Sequence, residues 1–374
     1  MSDVATAQVT DAPPTGRQVL VRQVLVLVPA HNEEDVIRRA LAALGTQELD
    51  RHPGTAVRTV VVADNCTDAT VPLALAAGAE VFTTRGNRAK KGGALNQALA
   101  ALLPELTDHD AVLVTDADCA LDPGFLAAAL DRLDRGYSGI GGIFRGDPGG
   151  GFVGHLQRNE YARYARDVER LGGRCLVLTG TAALFRAETL RAVSAARLDG
   201  RLPAGDGAGG VYDTTVLTED NELTFAILHL GGRIISPPEC TLSTEVMSGW
   251  RALWRQRLRW KRGAVENCAQ YGLTRITWRY WGRQLLTMLG VVASALYLAT
   301  LVWALSVDGS VNIKIFWLAV TGVFVVERVV TLRKRGWRYM LPAALMYELV
   351  VDYFLQACHG KAYLDALLRR RKSW

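Results

Sequence analysis

Ala111-Val112-Leu113-Val114-Thr115-Asp116-Ala117-Asp118 decides how this chain is read. Its first five residues have the length and apolar, β-branched character of a strand buried on both faces, and the acidic pair marks where that strand ends. The same signal recurs upstream, at residues 24–28, 59–63 and 80–83, with Ala/Leu-rich helical stretches near 69–77 and 93–103 between them. Strands alternating with helices predict βαβ units, hence an α/β fold with a mostly parallel sheet. Asn32 is expected to cap a helix carrying Val36, Ile37, Ala40, Leu41 and Leu44, because Glu33, Glu34 and Asp35 suit its positive N-terminus. Downstream, the pattern predicts a helix over 151–171 with Tyr161, Tyr164, Val168 and Leu171 on one face, then a strand at 175–178. Residues 198–213 form a Gly-rich loop, either a surface connection or a cover for a site, and Thr218 is the expected cap of a helix bearing Leu223, Ala226, Ile227 and Leu230.

The chain has 374 residues, of which 49% are hydrophobic and 21% charged. That composition excludes a disordered protein and, with a mean hydropathy of +0.11, leans toward one with a membrane portion. The net charge of +6 conceals an asymmetry: residues 250–374 hold 20 Lys/Arg against 6 Asp/Glu, and the remainder holds 23 against 31. Six cysteines without a CxxC pair suggest neither a zinc site nor a disulfide framework. Residues 1–18 read as a polar flexible tail, 19–245 as the α/β domain, 246–283 as an amphipathic interfacial segment and 284–374 as a membrane region. Within the last, 284–307 is 24 residues without a charge, enough to cross a bilayer, and 315–332 is a second candidate with Glu327 and Arg328 near its end. Residues 340–355 read as an interfacial or third membrane segment. Arg275, Arg279 and Arg283 before the first span, and Arg333, Lys334, Arg335 and Arg338 after the second, place both flanks and the α/β domain in the cytosol of a multi-pass cell-membrane protein. The same placement of positive charge argues against nucleic-acid binding despite a pI of about 9.0.

Asp64 follows the second strand, and Asp116 and Asp118 follow the fourth, so three carboxylates are expected at the carboxyl ends of a parallel sheet, where open α/β folds take ligands. Two carboxylates on one tight turn repel unless a hard divalent cation lies between them. The stretch from Arg85 to Asn96, with Lys90, Lys91, Gly92 and Gly93, is a basic loop opening a helix, suited to phosphate or simply solvated. Glu219-Asp220 begins another helix and serves either as a helix-terminus charge or as a proton acceptor. Gln256-Arg257-Leu258-Arg259-Trp260 lies in an Arg/Trp-rich stretch. It suits an anionic leaflet, or a sugar ring stacked on indole with phosphate held by guanidinium.

In chain order, Val28-Pro29-Ala30-His31-Asn32-Glu33, Ala63-Asp64-Asn65-Cys66-Thr67-Asp68, Lys91 with Gly93-Ala94-Leu95-Asn96, Asp116-Ala117-Asp118, Thr179-Gly180-Thr181, Thr218-Glu219-Asp220 and Gln256 to Trp260 resemble glycosyltransferase family 2. The last pair looks most like the membrane-embedded branch containing cellulose, chitin, hyaluronan and poly-N-acetylglucosamine synthases. The resemblance implies a GT-A nucleotide-sugar-binding, Rossmann-like domain followed by transmembrane helices, and inverting transfer from a nucleoside-diphosphate sugar, most often a UDP-sugar, with Mg2+ or Mn2+. It implies that Pro29, His31, Glu33, Asp64, Lys91 and Asp116 surround the nucleotide, that Asp118 holds the metal with Asp116, and that Asp220, beside Glu219, is the base. Thr179, Gly180 and Thr181 would border the acceptor, with Gln256, Arg259 and Trp260 spanning the diphosphate and the acceptor terminus.

Cys119 departs from the pattern, standing where some relatives supply a His ligand, and the two spans are fewer than polymer-secreting relatives carry. The expected function is a membrane-anchored transferase acting on a saccharide or lipid-linked saccharide, with processive extension permitted. The alternatives are a single transfer to polyprenyl phosphate and a non-catalytic membrane protein that binds nucleotide sugars.

Overall fold

The computed structural model describes residues 23–307 and 315–370. The tail at 1–18, the link at 308–314 between the two expected spans, and residues 371–374 lie outside the described residues.

Four strands, β1 (Gln23–Ala30), β2 (Ala56–Ala63), β3 (Glu80–Thr83) and β4 (Ala111–Thr115), pair in parallel, with β1 between β2 and β4. The expected strands fall within these, because near-continuous Val/Leu runs suit a sheet covered on both faces. Val24, Val26 and Val28 of β1 face one layer with α1 (Ile37–Gly45), and Leu25 and Leu27 face the other with α3 (Lys90–Leu102). α2 (Thr70–Ala76) links β2 to β3, and after the two-residue β5 (Ala120–Leu121) comes α4 (Phe125–Asp134). The sheet is completed by β8 (Ala182–Arg186), antiparallel to β4, then β6 (Gly139–Gly141) and β9 (Ile234–Ile235), giving the order β3-β2-β1-β4-β8-β6-β9. A smaller sheet joins β5, β10 (Thr241–Thr244) and β7 (Ile143–Gly146).

Four local expectations are corrected. Asn32 does not cap α1, which starts five residues later; its backbone is left-handed (φ 57°) and its Oδ1 accepts from the Thr67 amide at 2.8 Å, tying two loops together. The strand expected at 175–178 is irregular, and the chain pairs at Ala182–Arg186 instead, because that segment is buried between β4 and β6. Helix α5 (Gly151–Arg170) ends before Leu171, which is exposed and not on the buried face with Tyr161 and Val168. Helix α6 (Ala187–Leu198) precedes the Gly-rich loop, and α7 (Glu219–His229) follows Thr218, whose hydroxyl accepts from Asn267 at 3.1 Å and bonds no amide of the helix it opens.

The C-terminal part is helical: α8 (Trp250–Tyr271), α9 (Trp278–Val307), α10 (Ile315–Thr331), α11 (Trp337–Ala343) and α12 (Leu349–Leu367). Among the described residues α9 alone is long and apolar enough to cross a membrane, and its most apolar stretch is not buried against the rest of the protein. α10 has 17 residues, short of that length. The segment at 340–355 is two helices joined at a turn, with α12 packed along α8 and α9. Glu348, in that turn, is fully buried and takes Arg163 of α5 and Arg328 of α10 as ion partners, so the charge that interrupts the apolar pattern ties these helices to the α/β domain.

Candidate active site

The carboxyl ends of β1, β2 and β4 open into a cavity of about 260 Å3 lined by Pro29, His31, Glu33, Asp64, Lys91, Asp116 and Asp118. Each arrives from the end of a strand, the turn after it or the start of α3, as parallel topology requires. Asp64 is buried; its Oδ1 accepts from Thr84 at 2.8 Å and Asn65 at 2.9 Å, and its carbonyl lies 2.6 Å from His31 Nδ1. Asn32, Asn65 and Lys90, on the three rim loops, all hold left-handed backbone (φ 57°, 52° and 54°), a conformation side chains tolerate where surroundings fix it.

Negative charge accumulates here. Burial, then Asp116, pushes the Asp118 carboxyl up to about 6. Burial, then Asp118, Glu245 and Asp116, pushes Glu33 up to about 7. The oxygens of Asp116 and Asp118 and the Cys119 sulfur lie within 4.8 Å of one another. The thiol is fully buried, and burial followed by Asp118 and Asp116 holds it well above its ordinary range, so it is a poor ligand. Two crowded carboxylates fit a hard divalent cation, which Asp116 and Asp118 would hold.

Lys91 connects this cavity to a second cluster. Its ammonium donates to Asp116 Oδ1 and, at 3.0 Å, to the Gly180 carbonyl, and lies 3.9 Å from Glu219. Burial lowers its pKa, but Asp116, Glu219 and Asp220 outweigh that and hold it charged. On the far side Asp220 Oδ2 accepts from the Gly180 amide at 2.9 Å and Oδ1 from the Asn221 amide at 2.8 Å. A Cβ on Gly180 would sit 3.2 Å from Lys91 Nζ and 3.4 Å from Asp220 Oδ2, so glycine keeps this gap open. Burial, and then Asp220 against the opposing Lys91, raises the Glu219 carboxyl. Thr179 and Thr181 share a 2.9 Å hydroxyl contact, and the Thr181 carbonyl accepts from the Asp116 amide at 3.1 Å.

Arg259 enters from α8 into a cavity of about 290 Å3 with Lys90, Lys91, Thr214 and Glu219. Trp260 faces the other way, beneath Arg257 (4.4 Å to the ring centroid), and lines a larger cavity with Thr179. Gln256 is apart from these groups: its Oε1 is buried without a partner among the described residues. Close approach of α8 is set by Gly263, where a Cβ would stand 2.4 Å from the Thr218 hydroxyl, and by Asn267, which donates to the Thr218 carbonyl at 3.0 Å.

Two residues beside the site carry no motif: Glu245 follows β10 and acts on both Glu33 and Asp118, and Tyr212 is buried beside Lys91. The Thr-Leu-Ser-Thr strand ahead of Glu245 is the signal that would have found it. Within the Gln256 to Trp260 motif, the resemblance implies no role of its own for Arg257, which pairs with Glu160 at 2.8 Å.

Residues 22–263 match the family model described as "Glycosyltransferase like family 2". A probable glycosyltransferase, YdaM, of Bacillus subtilis (strain 168) is 28% identical over 252 residues, 64% of this chain and 55% of that protein, so the chain spans about half the length of this curated relative. Among solved structures, the mannosyltransferase PcManGT from Pyrobaculum calidifontis, in complex with GDP-Man and Mn2+, superposes with a TM-score of 0.63 at 21% identity, covering 96% of this chain and 90% of that one. That likeness confirms the GT-A architecture.

Proposed function

Because the chain belongs to glycosyltransferase family 2, we propose that it is a membrane-anchored, inverting transferase that moves a sugar from a nucleoside-diphosphate donor to a hydroxyl of a saccharide or lipid-linked saccharide. The observation that carries this reading is the position of Lys91, whose one ammonium touches Asp116 on the donor side and the Gly180–Glu219 cluster on the other. The donor diphosphate would lie between Lys91 and Arg259, with its nucleoside against Pro29, His31, Glu33 and Asp64. Mg2+ or Mn2+ would be held by Asp116 and Asp118 and would offset charge on the leaving diphosphate. A UDP-sugar is the donor expected from the family, and the GDP-Man held by the solved relative keeps a GDP-sugar open.

Asp220 is the proposed base. Amides of Gly180 and Asn221 fix its two oxygens in place. It takes the proton of the acceptor hydroxyl as that oxygen bonds to the anomeric carbon, and the carbon–oxygen bond to the diphosphate breaks with its electron pair leaving on the diphosphate. One displacement inverts the centre. Asp220 and Glu219 together repel an anionic nucleophile, which favours a hydroxyl over a bare polyprenyl phosphate as the attacking group.

Residence in the membrane through α9 and a cytosolic α/β domain complete the proposal, supported by the uncharged stretch of α9 and the arginines before it. A panel of UDP- and GDP-sugars with Mn2+ and membrane lipids tests it. Nucleotide release confined to one or a few donors is expected, and release from none would overturn the reading.

A further inference from the structure

A cavity of about 920 Å3 lies between α5, α8 and the opening turns of α9. At one end it is bounded by Thr179, Asn221 and Trp260, next to Gly180 and Asp220. At the other it reaches Thr287, a turn inside the uncharged stretch of α9, where Leu285, Leu286 and Leu289 are exposed. Leu176, Val177 and Leu355 give it apolar walls.

Its charges are unbalanced. Arg170, Arg174, Arg279, Arg283 and Lys261 all line it, and among the described residues none of the five makes an ion pair. Two carboxylates line it: Glu160 is already taken by Arg257, and Asp167 makes no ion pair among the described residues, so the five cations face one free acid. Lys261 is part-buried; its ammonium donates to the neutral Gln284 Oε1 at 2.6 Å and lies 4.9 Å from the Tyr363 ring centroid. Burial, then Arg283, draws its pKa down to about 8, the behaviour of a cation lacking a counter-charge. The Nδ1 of His359, on the same wall, is buried without a partner among the described residues. Basic side chains that only greet a membrane surface point outward to headgroups. These encircle a hollow that runs from an apolar helix to the proposed base.

We propose that this cavity is the acceptor port, and that the acceptor is an amphiphile whose phosphate is held by Arg279, Arg283 and Lys261 while its hydrocarbon tail leaves along α9 and its sugar reaches Asp220. The inference rests on the transferase reading above and narrows its acceptor to a phosphate-bearing lipid, as opposed to a free saccharide. Guanidinium and ammonium supply the anion site, and the apolar wall supplies the tail site.

Equilibrium binding of radiolabelled geranylgeranyl phosphate to the full chain in detergent tests the port, with geranylgeraniol and inorganic phosphate as separate competitors. The phosphate lipid should bind at least about tenfold tighter than either, since one charge-assisted contact and one buried tail are each worth about a factor of ten. Arg279→Glu with Arg283→Glu should weaken binding by about tenfold or more. Ala264→Trp, which fills the cavity and removes no charge, should do the same, with thermal unfolding confirming that each variant folds. Arg338→Glu, a membrane-side cation outside the cavity, should leave binding unchanged.

Equal binding of the alcohol, competition by inorganic phosphate alone, unaffected binding in either cavity variant, or an equal loss in Arg338→Glu would each overturn the port. Nucleotide release from the wild-type protein is scored separately: its absence with lipid binding intact removes the transferase reading, and its presence with failed lipid binding removes the port alone.

Discussion

The acidic cleft that runs through Lys91 from the strand ends to Asp220 and the large hollow beside α9 meet at the start of α7 but are opposite in charge. In the cleft, Asp64, Asp116 and Asp220 are each held by named donors, and the surplus is negative. In the hollow the surplus is positive and lacks ion partners among the described residues. A rigid, satisfied site suits chemistry whose geometry is fixed in advance, whereas cations around apolar walls suit a ligand that brings its own charge.

The sharpest way to separate the two is Asp220→Asn. It keeps the shape and removes the proton acceptor, so transfer to a hydroxyl acceptor should fall by about 10²–10⁴-fold while geranylgeranyl phosphate binding is unchanged. Product quantified by mass spectrometry checks this. Wild-type rates in the variant would mean that the nucleophile arrives already ionised, and the hydroxyl mechanism would be wrong.

The junction at the start of α7 provides the next test. Gly263→Ala places a methyl against Thr218, pushing α8 from the turn that carries Glu219 and Asp220. Overpacking of this kind should cost about 1–3 kcal/mol of stability, seen as a lowered melting temperature. Its transfer rate should drop more than its donor affinity, because the junction lies nearer Asp220 than Asp64.

The cleft was legible in sequence because its residues sit in turns after strongly patterned strands. Val24 to Val28 and Ala111 to Thr115 could be little else, and the acids following them had to converge. The segment around Thr179 was harder: Val177 and Leu178 carry strand propensity, but Ala182–Arg186 wins because its pairing with β4 and β6 is tertiary, and alanines announce nothing. Asn32 looked like a cap since Asn, Glu and Asp favour helix starts, yet a left-handed backbone turned its side chain to Thr67. The hollow was not legible at all. Its lining comes from five helices and a loop, and an arginine's lack of a partner is a property of three dimensions.

The smallest expected effect is at Cys119. Its thiol lies among the acids but is protonated and fully buried, so Cys119→Ala should leave Mn2+ affinity, measured by calorimetry, unchanged. A large loss would make sulfur a ligand and reassign the cleft to a softer metal.

The contact between Lys91 and Asp116 also bears on order of events. The ammonium neutralises one of the two acids, so a metal ion arriving alone must compete for that oxygen and gains little. A diphosphate gives the lysine somewhere better to go. The protein is thereby built to admit metal and sugar nucleotide as a pair, with idle ions discouraged until a donor accompanies them.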